Sequence, residues 1–330
     1  MDGVDFPAAQ MEAAAIKHQG GEWKTNLSPC MEYMSEGAVL QGIEILKNWS
    51  GVFPKANTWV GKNCGVPSLV VRIDCIVDAD DVIRPYEIEE RPCGLGLTGL
   101  CNQGFAENLK RVQASWPAIR WVQSQYRATD DELHFGPGLT LEEAVNHDGM
   151  LLVRSRPEET DFHQLEDRSV SSVSREGDKG YGLHFGWWDV ISCMHDGDLD
   201  WYLTPALTTA SVLKPVQGTR SRHIKVHLPH DQKRELQARG VPMRRSDTDS
   251  IPQLLKLIRG QPTSQMYRQP FVEPMRLTHQ PSRNAIYRIF YGFNLATGDW
   301  EPLGGVWMAL DSLIVHGTDQ TVTGPLLFRE

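Results

Sequence analysis

The stretch VVRIDCIVDADDVIRPYEIEERP, residues 70–92, decides the predicted fold of the chain. Two runs rich in β-branched residues flank an Asp-rich turn, and this order is typical of a β-hairpin. Side chains alternate between the two faces of a strand, so Arg72 and Asp74 share one face of the first strand. Glu87 and Glu89 likewise share a face of the second strand. If the strands pair antiparallel, three carboxylates and one arginine converge on a single surface.

This concentration of negative charge suggests a cation site. Like charges at short range are unfavourable unless a cation lies among them. Carboxylate oxygens suit Mg²⁺, which usually takes one or two carboxylates together with phosphate oxygens. The alternative that this stretch alone leaves open is an exposed hairpin whose charged face is hydrated.

The composition indicates a globular protein of ordinary hydrophobicity. The chain has 330 residues, 40% of them hydrophobic, and a formal net charge of −9, which does not suggest nucleic-acid coating. No apolar run of about 18 residues is present, and residues 1–5 lack a signal-peptide pattern. The six cysteines form no Cys-x-x-Cys pair. We therefore expect a cytoplasmic protein with reduced thiols that binds neither membranes nor nucleic acids.

Apolar spacing and breaker residues predict helices and strands along the rest of the chain. The segment Gly94–Gly99 matches G-x-G-x-x-G, but the strand before it is charged, so we favour a flexible loop over a dinucleotide-binding turn. The other expected helices are at 11–17, 38–49, 105–125 (with a break at Pro117), 139–147 and 251–259, together with one that begins near Asp178 and leads into the apolar segment to Ile191. Thr140 and Glu143 are expected to form a capping box at the helix of 139–147. We also expect a strand at 150–153, an exposed loop at 154–174, and a hairpin of 287–293 and 303–309.

Two lysines lie in segments that suit phosphate binding. Lys179 stands at the start of the helix expected near Asp178, where anions are favoured, although taken alone it is better interpreted as an ordinary surface lysine. An apolar strand carries Lys214, and a polar loop at 218–223 with two hydroxyl groups and two arginines follows it. A lysine on a strand beside such a loop can clamp phosphate groups.

In their order along the chain, these elements resemble the ATP-grasp superfamily in the circularly permuted arrangement of glutathionylspermidine synthases. The matching segments are Arg72-Ile73-Asp74, Glu87-Ile88-Glu89, Gly177-Asp178-Lys179, Val212-Leu213-Lys214-Pro215 with Gly218, and Gly304-Gly305 running to Asp311-Ser312-Leu313. The resemblance implies an α+β fold in which two α+β subdomains, antiparallel sheets with packed helices, clamp a nucleotide. The implied division is an N-terminal helical segment at 1–69, a carboxylate and metal half at 70–150, and a lysine and nucleotide half at 151–330.

The resemblance also implies roles for individual residues. Asp74, Glu87 and Glu89 are implied as ligands of Mg²⁺, and Arg72 as the arginine that contacts the transferred phosphoryl group or the acyl phosphate. Two lysines, Lys179 and Lys214, are implied to bind the phosphates and the adenine side of ATP. A closing loop at 218–223 is implied to bring Gly218, Thr219 and Arg220 to ATP or substrate, and Glu273 is implied as the adenine hinge. The implied cofactors are ATP and Mg²⁺, and the implied partners are a small-molecule carboxylate and an amine.

The sequence departs from the family pattern at three places. Glu89 replaces the usual asparagine, the closing loop has one glycine, and Ala309-Leu310 stand where the family often has an arginine. The favoured function is an ATP-dependent carboxylate–amine ligase that works through an acyl phosphate. Arg220, Arg222 or Arg288 could recognise the acid. The alternatives are a phosphotransferase that acts on a hydroxyl group and a non-catalytic nucleotide-binding protein.

Overall fold

The structure is a computed structural model that describes residues 26–52, 58–123, 132–155, 159–173, 189–192, 209–215, 224–244, 247–248, 265–315 and 320–329. Within these residues the fold is mixed α+β, with a seven-stranded, a four-stranded and a two-stranded sheet accompanied by helices. The expected α+β class is confirmed. No helix in these ranges is long and apolar enough to cross a lipid bilayer.

The chain divides into two compact units. The first comprises Met1–Glu176, Tyr287–Met308 and Gly317–Glu330, and the second comprises Gly177–Ile286 and Ala309–His316. The functional halves expected at 70–150 and 151–330, and the separate segment at 1–69, stay predictions.

The first unit holds the large sheet, the two-stranded sheet and most of the helices. Its helices are α1 (Glu36–Val52), α2 (Trp59–Cys64), α3 (Leu95–Cys101), α4 (Gln103–Gln113), α5 (Glu132–Phe135), α6 (Leu141–Val145) and a 3₁₀ helix (Thr160–Arg168). Its strands are β1 (Asn26–Leu27), β2 (Glu32–Met34), β3 (Val70–Val77), β4 (Ile83–Glu89), β5 (Ile119–Gln123), β6 (Met150–Arg154), β13 (Val322–Phe328) and most of β11 (Asn284–Asn294) and β12 (Asp299–Leu310). The order in the large sheet is β1-β13-β12-β11-β3-β4, with β2 also paired to β13.

Both predicted hairpins are confirmed. Strands β3 and β4 pair antiparallel, and the Asp78 side chain accepts hydrogen bonds at 3.0 Å from the backbone nitrogens of Asp80 and Val82 in the turn. Asp81 takes a left-handed φ of 62°, which Asp tolerates better than most residues. The turn between β11 and β12 contains Gly298 at a φ of 72°, a value that favours glycine.

Helices cover both faces of the large sheet. On one face, Tyr291 of β11 donates a hydrogen bond to the carbonyl oxygen of Val39 in α1, at 3.3 Å. On the other face, Phe105 of α4 packs edge-on against Phe290 of β11, with ring centroids 5.3 Å apart. Neighbouring strand residues point to opposite faces, so these two contacts place α1 and α4 on opposite sides of the sheet. Side chains on the α4 face therefore lie on the side of the sheet that α4 partly covers.

The loop expected at Gly94–Gly99 is wrong, because residues from Leu95 onward form helix α3. Gly94 precedes this helix with a φ of 90°, and the side chains of Leu95 and Leu97 are buried. Burial of two leucines contributes about 1.5–3 kcal/mol each, which outweighs the cost of about 1 kcal/mol per glycine in a helix.

Two further expectations in the first unit are corrected. The helix expected at 105–125 ends at Gln113, and Ile119–Gln123 is a strand that pairs in parallel with β6. Within the segment at 154–174, residues 160–168 form a 3₁₀ helix that buries Phe162 and Leu165, so this described part is not an exposed loop. The capping box of Thr140 and Glu143 at helix α6 is confirmed, as are the strand at 150–153 and the helix at 38–49.

The second unit contains a four-stranded sheet in the order β7-β10-β8-β9 and one described helix. The elements are β7 (Asp189–Ser192), β8 (Ser211–Pro215), β9 (Lys225–His227), β10 (Gln265–Pro270) and α7 (His230–Ala238). The predicted strand that carries Lys214 is confirmed as β8. Residues 189–192 form a strand and not the end of the helix expected from Asp178, because β10 pairs with them antiparallel. The helices expected at 11–17 and 251–259 lie outside the described residues.

Candidate functional site

Five charged side chains share the α4 face of the large sheet, and we call this group the charged face. The register of β3 and β4 pairs Arg72 with Glu89 and Asp74 with Glu87. Strand β11 then adds Arg288 directly opposite Asp74. The convergence expected from alternation along the hairpin is therefore present, and a strand more than 200 residues away contributes a second arginine.

Arg72 is the most completely bonded member of the charged face. Its Nε donates to Asp74 Oδ1 at 2.6 Å, and its Nη2 donates to Asp74 Oδ2 at 3.1 Å. Nη2 also lies 2.5 Å from Glu89 Oε2, and Nη1 donates to the carbonyl oxygen of Cys93 at 3.0 Å. The guanidinium stacks over the Phe290 ring at 5.9 Å from its centroid, and the side chain is 5% exposed. All three nitrogens of Arg72 are therefore engaged.

Arg288 is bonded very differently. Its Nε lies 3.4 Å from Asp74 Oδ2, which makes an ion pair at longer than hydrogen-bond distance. The Nε atom is buried, and within the described part of the chain it has no hydrogen-bond partner. The side chain is 15% exposed, so its guanidinium keeps a limited path to solvent.

The charges of the face perturb one another. Burial alone would lower the pKa of Arg72, but the charges of Asp74 and Glu89 outweigh it and raise that pKa. Burial raises the pKa of Glu89, Arg72 lowers it, and the neighbouring carboxylates Glu87 and Asp74 raise it further, so that it ends above its ordinary value. Because 24% of the Glu89 side chain is exposed, water moderates this effect. Burial and then the charge of Arg72 lower the pKa of Arg288.

The cations on the charged face are the two arginines, Arg72 and Arg288. Asp74, a predicted Mg²⁺ ligand, directs both of its oxygens to Arg72. Across the described ranges, no group of three His, Cys, Asp or Glu side chains is arranged to hold a metal ion. Mg²⁺ in nucleotide sites needs only one or two carboxylates, since phosphate oxygens and water complete its shell. Glu87 and Glu89 supply that number of carboxylates, although Glu89 Oε2 also lies 2.5 Å from Arg72 Nη2. Asp74 could join them only by leaving Arg72.

The backbone beside Arg288 is fixed by close packing. A Cβ atom on Gly305 would lie 2.3 Å from the carbonyl oxygen of Arg288, so only glycine allows β12 to approach β11 here. Asn102, between α3 and α4, donates to the carbonyl oxygens of Gly305 at 3.1 Å and Leu326 at 2.8 Å. Its Oδ1 accepts from the Phe105 amide and caps α4. Sequence reasoning missed Asn102, although an Asn before a helix is a recognised cap signal.

The other predicted site residues have varied positions. Lys214 lies on β8 with its side chain 6% exposed. Glu273, the predicted adenine hinge, forms an ion pair with Arg239, whose Nη2 lies 2.9 Å from Glu273 Oε1. Lys179, Gly218, Thr219 and Arg220 lie outside the described residues. The nucleotide and substrate roles of all six stay predictions.

A buried aspartate anchors the Asp311-Ser312-Leu313 motif of the second unit. Asp247 is 3% exposed, and its carboxylate accepts hydrogen bonds at 2.8 Å from Ser312 Oγ, the Leu313 amide and the Arg244 amide. Arg244 in turn pairs with Asp311. The motif is thus held rigidly, and sequence spacing offered no signal for Asp247.

Comparison with known proteins does not identify a family. No protein-family model matches the sequence, and no curated protein matches it. Among solved structures, the chain is similar to a glutathione synthetase-like effector from Globodera pallida in its apo form. The identity is 11%, 98% of this chain and 96% of that chain are covered, and the TM-score is 0.43. A likeness this distant establishes neither fold nor function.

Proposed function

We propose that the protein is an ATP-dependent carboxylate–amine ligase. The observation that carries the proposal is the charged face, where three carboxylates and two arginines meet on one face of the large sheet, with Arg72 and Asp74 buried and the other three half-buried. Such a density of charge is costly in a protein interior unless it serves a ligand or is fully paired. Arg288, whose guanidinium is incompletely paired, argues for a ligand.

The proposed chemistry has two steps. A carboxylate oxygen of the acid attacks the γ-phosphorus of ATP, ADP leaves, and an acyl phosphate forms. The amine nitrogen then attacks the acyl carbon, inorganic phosphate leaves, and the nitrogen loses a proton to give the amide. Both steps depend mainly on positioning and on stabilisation of negative charge, since little covalent help from the protein is required.

The residues of this chain have distinct parts in the proposal. Mg²⁺, when bound, would neutralise charge on the phosphate oxygens, and Glu87 and Glu89 are the residues that would hold it. Arg72 holds Asp74 and Glu89 in place and adds positive charge beside the transferred phosphoryl group. Lys214 would bind phosphate oxygens, as expected for a buried lysine on a strand.

The test is ADP release by the full chain with ATP, Mg²⁺, panels of small carboxylic acids and amines, and product analysis by mass spectrometry. We expect ADP release that requires both an acid and an amine, with an amide as product. Lys214→Ala should abolish turnover, whereas Lys110→Ala, on the exposed surface of α4, should leave it unchanged. Unfolding midpoints of both variants show whether loss of turnover reflects loss of fold. Full turnover by a folded Lys214→Ala protein would contradict the assignment.

One observation favours a second candidate, a nucleotide-binding protein without turnover. Arg72 bonds both oxygens of Asp74, so Asp74 is not available as the third metal ligand that the sequence predicted. Tight ATP binding with no ADP release across the whole substrate panel would select this candidate. A stable phosphoester as product would instead select a phosphotransferase.

A further inference from the structure

We propose that Arg288 is the oxyanion-binding residue of the charged face and that Arg72 is a positioning residue which keeps Asp74 away from it. The ligand group is a two-oxygen anion, either the carboxylate of the acid or a phosphoryl group. This inference rests on the proposed function only for the identity of that anion.

Arg72 and Arg288 differ in the number of N–H donors that they can offer a ligand. A guanidinium carries five N–H donors in a planar fork. Arg72 directs its three nitrogens to Asp74, Glu89 and the Cys93 carbonyl oxygen, so it has little left to offer a ligand. Arg288, within the described residues, forms one ion pair at 3.4 Å and no side-chain hydrogen bond.

Leaving the donors of Arg288 unused has an energetic cost. A buried donor without a hydrogen-bond partner is unfavourable relative to the same donor in water. The Nε of Arg288 is such a donor, and with the side chain 15% exposed its terminal nitrogens keep limited access to water. A carboxylate or phosphoryl group that binds the fork through two oxygens would satisfy these donors and match their geometry.

Asp74 is the carboxylate that could occupy the donors of Arg288. It stands opposite Arg288 in the strand register, and a bidentate pair between them would use the N–H donors that Arg288 could otherwise offer a ligand. Arg72 prevents this, because it holds both oxygens of Asp74 at 2.6 Å and 3.1 Å. Asp74 therefore orients Arg288 through one long contact without saturating it.

The test is arginine labelling of the full chain by phenylglyoxal, with each site quantified by peptide mass spectrometry. We expect Arg288 to be labelled at least about tenfold faster than Arg72, because labelling follows access and freedom of the guanidinium. Inorganic phosphate or succinate at tens of millimolar should slow labelling of Arg288 by at least about threefold, as two-thirds occupancy requires. Arg111, with a side chain 62% exposed, is the control whose labelling should not respond to either anion.

The two probes separate the two sources of the anion. Protection by succinate alone assigns a carboxylate to Arg288, and protection by phosphate alone assigns a phosphoryl group. Neither result depends on ATP turnover, so this inference can succeed where the ligase proposal fails, and the reverse. Equal labelling of Arg72 and Arg288, no labelling of Arg288, or no protection by either anion would overturn it.

The role of Arg72 has its own readout. In Arg72→Lys the ammonium cannot hold both oxygens of Asp74, so Asp74 should turn to Arg288 and compete with added anions. We expect the variant to stay folded and to lose the protection of Arg288 by phosphate or succinate. Unchanged protection in folded Arg72→Lys would show that Arg72 does not position Asp74. Unfolding of Arg72→Lys would instead assign Arg72 a structural role and overturn its positioning role. Arg288→Lys then still tests Arg288: it should keep the unfolding midpoint of the parent and lose the thermal stabilisation that phosphate or succinate gives the parent.

Discussion

Replacing Asp74 by asparagine should destabilise the first unit severely, independently of any catalytic role. Asp74 and Arg72 are 8% and 5% exposed, and two hydrogen bonds at 2.6 Å and 3.1 Å join them. The variant keeps the shape of the side chain but leaves two adjacent guanidinium groups with one counter-charge fewer. Breaking a buried pair in this way costs about 3–5 kcal/mol. At about 2–4 °C per kcal/mol for a domain of this size, the melting temperature should fall by roughly 10 °C.

The assay is urea unfolding followed by tryptophan fluorescence, because buried Trp116, Trp121 and Trp300 report on the first unit. The matched control is Arg111→Gln, which breaks an ion pair whose nitrogen and oxygen lie 3.2 Å apart on the surface. Pairs as exposed as this one contribute about 0–1 kcal/mol.

A double-mutant cycle with Arg72→Gln completes the experiment. We expect a coupling energy of at least about 2 kcal/mol between the Arg72 and Asp74 sites, since residues in direct contact commonly couple by about 0.5–3 kcal/mol. If Asp74→Asn costs no more than Arg111→Gln, or if the two substitutions simply add, the reasoning about a buried pair is refuted.

Three further predictions concern the pH response, a close backbone approach and a buried anchor. Glu89→Gln should flatten the pH dependence of stability. The folded pKa of Glu89 is raised, so its contribution to the free energy of unfolding is full below its ordinary pKa and is lost as pH rises through the folded value, by at most about 1.4 kcal/mol per pH unit. If the free energies of unfolding of parent and variant change in parallel between pH 5 and pH 8, this prediction is wrong. Gly305→Ala should destabilise the protein by several kcal/mol, because its Cβ would lie 2.3 Å from a backbone oxygen. Gly51→Ala, in a helix with open space around it, should stabilise the protein by about 0.5–1 kcal/mol. Calorimetry that ranks the two variants in the opposite order would contradict this prediction. Asp247→Asn removes one acceptor oxygen from three buried donors and should cost about 1–3 kcal/mol, while Asp247→Glu should not restore the loss, as checked by thermal unfolding.

The local part of the fold was predictable because each local signal agreed with the others. Alternation of apolar residues in 70–77, the Asp-rich turn and the second β-branched run all favour the same hairpin, and the structure confirms it. The capping box of Thr140 and Glu143 is likewise a local interaction, between residues three positions apart. Helix α3 was missed because its two glycines, and Gly94 before it, argue for a loop, while the decisive contribution is the burial of Leu95 and Leu97 in the fold.

The short strands at the start of the described chain illustrate the same limit. Strands β1 and β2 have two and three residues, and each pairs in parallel with β13 near the other end of the sequence. Segments this short carry no periodicity, so only the distant partner strand defines them. The same holds for Asp247, whose acceptor role depends on Ser312 and Leu313, more than 60 residues away.

The candidate site was predictable in its carboxylates but not in its balance of charge. Within the hairpin, the sequence shows three carboxylates and a single arginine, and a metal ion was expected to balance the excess negative charge. Strand β11 places Arg288 beside Asp74, and this second arginine neutralises part of that charge. A metal site must therefore be tested on Glu87 and Glu89, of which Glu89 already pairs with Arg72. It follows that loss of activity in Asp74→Asn would say little about metal binding, because that carboxylate already has a structural task. Glu87→Gln, which leaves the bonds between Arg72 and Asp74 intact, is the substitution that separates a metal ligand from a structural acid.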